Sequence, residues 1–298
     1  MIVCAAANPS IDRLFEVDEL RPGEVHRPAQ HAQVAGGKGL NAARAAATLG
    51  ADVRVVTILA GHAGRWLEHE LEREGIPVES IWVGGESRSS LSVADQAGVG
   101  LTEFYEHGVA ITAEAWRRFA AHTSTLSRTA AWVTISGSLP PGAPADGYGG
   151  LDLQCAVAAD TVEARPASAD LIKVNAPEAA RLTGLQTGTA EGALAAARAL
   201  RSGDGAGAVT RGPAGAVLVT PDGSALAGTL DAPGRYPVGS GDSFLAGLVV
   251  ARAGGGGWDD ALRLALGAAA ANAAVPGAAR FSRADAERLA DRAVVSPV

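Results

Sequence analysis

The chain has 298 residues, 47% of them apolar, which is enough for a sizeable core and too many for a disordered segment. With 25 basic against 32 acidic residues the formal charge is −7, which argues against a nucleic-acid binder built on a broad basic face. Two cysteines, Cys4 and Cys155, are too few for a disulfide scaffold and lack metal-ligand spacing.

Ile2 to Ala7 reads as a buried strand ended by the turn-former pair Asn8-Pro9. The run is too short for a signal peptide, and Asp12 and Arg13 follow at once. Asp12 to Pro28 has the character of half-exposed sheet. After Gly36-Gly37-Lys38-Gly39 an alanine-rich helix runs from Leu40 to Leu49, closed by Gly50. Val53 to Leu59 predicts a second buried strand, and Ala63 to Glu74 a helix presenting Trp66, Leu67 and Leu71. Strand, helix, strand, helix is the doubly wound pattern.

The middle breaks that rhythm. Ser80 to Val83, Ser89 to Ala94 and Gly100 to Tyr105 alternate apolar and polar residues between glycine-bearing turns, which predicts antiparallel sheet. Residues 12–33 and 80–108 would together form a small lid over the main sheet. The α/β rhythm returns with strands at Trp132 to Ile135, Cys155 to Ala159 and Asp170 to Val174, then a helix from Pro177 to Leu182. Ala208 to Thr210 and Ala216 to Thr220 read as strands. Ser243 to Arg252, Trp258 to Val275 and Arg283 to Ala293 read as helices. The apolar stretch 261–279 contains Arg263, Asn272 and Pro276, so it predicts a close-packed helix and not a membrane span. One domain over 1–298, carrying a lid and residing in the cytoplasm, is the expected organisation, with neither nucleic acid nor membrane as partner.

Chemistry concentrates where glycines precede helices. Pro237-Val238-Gly239-Ser240-Gly241-Asp242 leads directly into a helix, so backbone amides and the helix dipole would favour a phosphoryl group. An acid inside such an anion site repels phosphate unless it takes a proton from an attacking hydroxyl, as a kinase base does. The same segment also reads as an ordinary helix start after a glycine turn. Gly36-Gly37-Lys38-Gly39-Leu40-Asn41 is a second glycine cluster but no Walker A loop, because glycine follows Lys38 where Ser or Thr should hold magnesium. It allows close backbone approach to a ligand; it also reads as a plain βα turn. Asn175 and Glu178 suit water-mediated magnesium contacts, or equally a helix-capping pair. Of the 25 basic residues only Lys38 and Lys173 are lysines, and each lies inside one of these motifs. The six histidines form no zinc motif, no nucleophile elbow occurs, and Phe244 stands where a dinucleotide fingerprint needs glycine.

Taken in order, Asn8-Pro9-Ser10-Ile11-Asp12, Gly36 to Asn41, Ser136-Gly137-Ser138-Leu139-Pro140-Pro141-Gly142, Lys173 to Glu178 and Gly239 to Asp242 resemble the PfkB/ribokinase family of sugar kinases over nearly the whole chain. The resemblance implies a ribokinase-like fold: a doubly wound, mostly parallel central sheet flanked by helices, with a β-sheet lid that also serves as a homodimer interface. It implies an ATP- and Mg2+-dependent kinase in which Asp242 is the base and Gly239, Ser240 and Gly241 form the anion hole. Lys173, Asn175, Glu178, Thr210, Gly212, Gly215 and Asn272 would bind ATP, with Asn175 and Glu178 reaching the metal through water. The opening motif and Ser136 to Pro140 look most like the phosphosugar branch, which phosphorylates fructose 1-phosphate, fructose 6-phosphate or tagatose 6-phosphate to a bisphosphate. Asp12, Gly37, Lys38, Asn41, Arg88, Ser138 and Arg27 would then hold the sugar phosphate. A kinase of an unphosphorylated sugar or nucleoside is the alternative, and a non-catalytic sugar-phosphate binder a third reading. Three departures stand out. Tyr236-Pro237 replaces a polar residue and threonine ahead of the anion hole, Val174 replaces a common proline, and 148–170 is short and lacks the customary Asp-Thr-Ser-Gly beyond Asp160-Thr161.

Overall fold

Alternation in the first strand sets the layering. In β1 (Ile2–Ala6), Ile2, Cys4 and Ala6 join the apolar cluster on one side of the sheet, while Val3 and Ala5 join the cluster on the other. All five residues are buried, as expected of a strand covered on both faces. The computed structural model describes residues 1–97, 101–163, 166, 168–201, 203–232 and 234–298.

From one edge of the large sheet, β5 (Val78–Val83), β4 (Val53–Ala60), β1, β8 (Trp132–Ser136), β9 (Ala156–Asp160), β10 (Leu171–Asn175) and β11 (Ala206–Thr210) run parallel. The sheet continues antiparallel through β12 (Ala216–Val219), β13 (Ala225–Thr229) and β14 (Val294–Pro297). Helices α1 (Lys38–Thr48), α2 (Gly61–Arg73), α6 (Ser240–Ala253), α7 (Trp258–Ala273) and α8 (Arg283–Ala290) cover one face. The other face carries α3 (Ala113–Ser127), α4 (Ala176–Thr183) and α5 (Ala190–Leu200). This is the expected doubly wound α/β architecture. Because β1 lies between β4 and β8, the winding reverses there, and a crevice opens at the carboxyl ends of the strands.

The alanine-rich late helix is indeed close-packed. A Cβ added at Gly247 of α6 would stand 2.6 Å from the Ala265 Cα of α7, so the two helices meet at the backbone. Among the described residues no helix is long and apolar enough to cross a membrane.

The lid is a separate four-stranded sheet, ordered β3 (Gln30–Gly36), β2 (Ser10–Val17), β6 (Arg88–Asp95), β7 (Leu101–Tyr105). Two expectations about it need correction. Residues 80–83 belong to β5 and pair parallel with β4, Ser80 opposite Thr57, at the edge of the large sheet. The reason is that α2 supplies a crossover and Ile81 is wholly buried, while the outward residues of an edge strand imitate lid alternation. Nor is the lid purely antiparallel: β2 and β6 pair parallel, Ser10 opposite Arg88. Gly100, the expected start of the last lid strand, lies outside the described residues. Between β8 and β9 the chain makes turns but no helix, and the fully buried Tyr148 fills the space, its ring centroid 5.9 Å from that of Trp116.

Candidate active site

A cleft of about 940 Å3 runs along the carboxyl ends of β1, β8, β9, β10 and β11 and under the lid. Nearly all the residues singled out in the sequence line it. Asp12 and Arg88 come from the lid and Ser138 from the end of β8. Gly37, Lys38 and Asn41 come from the start of α1, and Lys173, Asn175 and Glu178 from β10 and α4. Thr210, Gly212 and Gly215 come from the turn after β11, and Gly239, Ser240, Gly241 and Asp242 from the start of α6.

Asp242 stands in the first turn of α6, 6% exposed, and Oδ2 accepts a hydrogen bond from Asn41 Nδ2 at 2.9 Å. Burial, and next the nearby Asp160 charge, push its carboxyl up to about 6 against the pull of Lys173 and Lys38. A carboxylate so tuned is ionised at neutral pH yet basic enough to accept a proton. Asn41 Oδ1 is buried without a hydrogen-bond partner among the described residues.

Beside Asp242 lies a pair of lysines joined by one acid. Asp160, wholly buried at the end of β9, accepts from Lys38 Nζ at 2.9 Å and from Lys173 Nζ at 2.7 Å. Burial works to raise its carboxyl, but the two ammonium groups outweigh burial and hold it below the ordinary range. For Lys38, burial opposes the charge, while Asp160, Glu178 and Asp242 prevail and keep it protonated. Sequence reasoning noted Asp160 only as the end of a strand and, with Thr161, as what remains of the customary Asp-Thr-Ser-Gly, and gave it no role in the site. The usable signal was its place at a parallel-strand carboxyl end in a chain with two lysines needing a partner.

Glu178 serves two neighbours at once. Its Oε2 accepts from Asn175 N at 3.0 Å while Asn175 Oδ1 accepts from Glu178 N at 2.8 Å, a complete capping box. Its Oε1 accepts from Lys38 Nζ at 3.0 Å. The capping reading is therefore realised, with one carboxylate oxygen left facing the lysine.

The loop before α6 is held from below. Gly239 has φ +84°, and a Cβ there would meet Ala278 Cβ at 2.7 Å, so both backbone shape and space call for glycine. At Gly241 a Cβ would stand 2.8 Å from Lys173 Nζ. Two expectations change here. Ser240 N donates to Pro237 O at 3.0 Å, leaving Gly241 and Asp242 as the first-turn amides without an acceptor in the helix. Asn272, expected beside the nucleotide, is wholly buried and does not line the cleft. Its Nδ2 donates to Val238 O and Ser240 Oγ, each at 2.9 Å, and its Oδ1 accepts from Ala279 N at 2.6 Å. It anchors the loop that leads into α6.

At the lid end Asp12 is fixed on both oxygens. Oδ2 accepts from Gly37 N at 2.8 Å, and Oδ1 accepts from Ser90 Oγ at 2.6 Å and from Ser10 Oγ. Arg88 donates to Asn8 O through Nε at 3.3 Å and Nη2 at 3.2 Å. It makes no ion pair among the described residues, unlike Lys38. Ser138 Oγ accepts from Asn8 Nδ2 at 3.0 Å. Arg27, expected among the sugar-phosphate contacts, is exposed and does not line the cleft: it lies in the loop beyond Glu16 and Gln30, at the end of the β2–β3 hairpin away from Ser10 and Gly36.

A buried carboxylate at a helix N-terminus, with two lysines nearby and a lid over the cleft, suits phosphoryl transfer to a hydroxyl. Comparison with known proteins agrees. Residues 2–285 match the model of the pfkB family carbohydrate kinases. The chain belongs to that family. This kinase is 30% identical over 265 residues to a protein of Xanthomonas campestris named 1-phosphofructokinase, covering 84% of this chain and 83% of that one. It is 32% identical over 277 residues to a protein of the same name from Haloferax volcanii, covering 89% and 88%. In fold the kinase is similar to phosphofructokinase-2 from Escherichia coli in complex with substrates and products, with TM-score 0.86, 22% identity and 97% of each chain covered. The ribokinase of Arabidopsis thaliana complexed with ribose and ATP also matches, with TM-score 0.75, 21% identity and 97% of each chain covered. The protein is thus an ATP-dependent carbohydrate kinase of ribokinase-like fold.

Proposed function

We propose that this kinase transfers the γ-phosphoryl group of ATP to a hydroxyl of a ketohexose phosphate, giving a bisphosphate. The observation that carries the reading is Asp242, buried at the positive end of α6 with its carboxyl raised to about 6. The sugar hydroxyl gives its proton to the Asp242 carboxylate as its oxygen bonds the γ-phosphorus. The bond to the β,γ-bridging oxygen breaks, and ADP leaves. Amides of Gly241 and Asp242, with Lys173 behind them, favour the charge that spreads over the transferring group. Asn41 Oδ1, a buried acceptor without a partner among the described residues, suits a second sugar hydroxyl. Asp12, locked by the Gly37 amide and two serines, suits another. The nucleotide base fits the apolar end of the cleft, where Leu230, Leu266, Ala269 and Ala273 adjoin the Thr210, Gly212 and Gly215 turn.

Mg2+ fits this site only as a phosphate-held ion. Among the described residues no cluster of three His, Cys, Asp or Glu could cage a metal, and Asp160 is committed to the two lysines. Glu178 and Asn175 would contact its water shell. When bound, the ion would screen the triphosphate charge.

The phosphosugar preference is supported by Arg88, a cleft guanidinium without a carboxylate partner among the described residues, and by the names of the two relatives. We further infer that the chain pairs through its lid, where β7 exposes Phe104 on the face opposite Tyr105, which lines the cleft. A coupled ADP-release assay over fructose 1-phosphate, fructose 6-phosphate, tagatose 6-phosphate, free fructose and ribose tests the substrate reading. Higher kcat/KM for one of the phosphates is expected. Preference for a free sugar would establish the ribokinase-like alternative, and no turnover with any acceptor would leave a binding protein.

A further inference from the structure

Tyr236 departs from the family pattern, and its side chain reaches the lid. Its hydroxyl donates to Glu16 Oε1 at 2.8 Å, across 220 positions of sequence. Glu16 is 5% exposed and sits on β2, four residues from Asp12 and so on the same face of that strand. The main chain of Tyr236 is held as firmly. Its amide donates to Ala273 O at 3.0 Å, and its carbonyl accepts from Asn272 Nδ2 at 3.3 Å. Asn272 in turn holds Val238 and Ser240 of the anion-hole loop. Beside this junction, Gly277 lies against Ala32 and Val34 of β3. One residue thus joins the lid strand that carries Asp12 to the loop that carries Gly239 to Asp242.

We propose that the Tyr236–Glu16 hydrogen bond is a positioning strut that sets the lid against the anion-hole loop, so that sugar seating and phosphoryl alignment occur together. The inference rests on reading Gly239 to Asp242 as the anion hole. A rigid link between acceptor and donor halves matters because misplacement of reacting atoms by even an ångström is costly. A lid held in register also keeps water from competing with the sugar for the γ-phosphoryl group.

Tyr236→Phe removes only the hydroxyl. With the best sugar acceptor, its kcat should fall about 10-fold while KM for ATP stays within about twofold. The ratio of sugar-independent ATP hydrolysis to sugar phosphorylation should rise about fivefold or more. Glu16→Gln keeps an oxygen that can accept from Tyr236 and should retain wild-type kinetics within about threefold. Glu16→Ala should match Tyr236→Phe, and the double variant should be no worse than either single one. A drop in thermal stability with kcat and the hydrolysis ratio unchanged would overturn the strut, as would multiplicative effects in the double variant. If the wild type phosphorylates no sugar, the functional reading fails separately. Amide hydrogen exchange then decides: faster exchange in both β2 and residues 236–241 of Tyr236→Phe supports the strut, and unchanged exchange in either overturns it.

Discussion

Burying Asp242 beside Asp160 has a thermodynamic sign as well as a catalytic one. Its carboxyl is raised to about 6 in the folded protein, above the ordinary value of 3.8. Above pH 6 both folded and unfolded chains carry the charge, and the folded one is destabilised by it. Below about pH 4 both are protonated, and the penalty vanishes. Asp242→Asn should therefore raise Tm at pH 8 by roughly 2–5 °C, with the gain fading as pH falls from 6 to 4. The same variant should lower kcat by roughly 10²-fold or more with little change in ATP affinity. In the wild type, kcat/KM should show an acid limb with its midpoint near 6. A sugar phosphate titrates near there too, with a second pKa of about 6. The limb belongs to Asp242 if a free-sugar acceptor shows it as well. Glu178→Gln separates two roles: glutamine can complete a capping box, so Tm should hold within about 2 °C. The weaker hold on the Mg2+ water shell should raise the magnesium concentration needed for half-maximal rate. An unchanged magnesium dependence would leave Glu178 as a cap and a partner of Lys38.

At the scale of elements, the parts legible in the sequence were those with one buried stripe and a clear stop. Strands β1 and β4 and helices α1, α6 and α7 lie within a few residues of expectation because glycine or Asn-Pro punctuates them. β5 was misread because an edge strand leaves Trp82 37% exposed and so alternates like a lid strand. Helices α3 and α5 went unassigned although Thr112 and Thr189 each cap one, accepting from Ala115 N and Gly192 N. Their signal was a threonine cap before Glu114 and Glu191, weaker than a glycine motif. The site followed the same rule. Glycine motifs marked α1 and α6 correctly, but a motif says nothing about which of its side chains turns inward. Asn272 turned out to be an anchor, and Asp160, noted only as the remnant of a family motif, had been given no role. Asp160→Asn tests the latter: it leaves the buried Lys173 without its carboxylate and the half-buried Lys38 with Glu178 alone, and should cost about 3 kcal/mol or more in stability, read by urea denaturation. An unchanged midpoint would contradict the lysine-sharing role.

For the whole molecule, the cleft is polar under the lid and apolar beside α7, which suits the proposed placing of a charged acceptor at one end and a nucleotide base at the other. Pairing through the lid predicts a two-subunit mass in sedimentation velocity, and Phe104→Glu on the exposed β7 edge should shift it toward one. The central claim is that the acceptor carries its own phosphate. Lys38 already shares Asp160 and Glu178, whereas among the described residues Arg88 is held by a carbonyl oxygen alone. A charge-assisted contact of about 1.5–3 kcal/mol to a dianionic phosphate would be lost with the guanidinium. The decisive measurement is KM of Arg88→Ala for the best phosphosugar, for a free sugar and for ATP. The account predicts a rise of roughly 10- to 150-fold for the phosphosugar alone. An unchanged phosphosugar KM, or an equal rise for the free sugar, would contradict it.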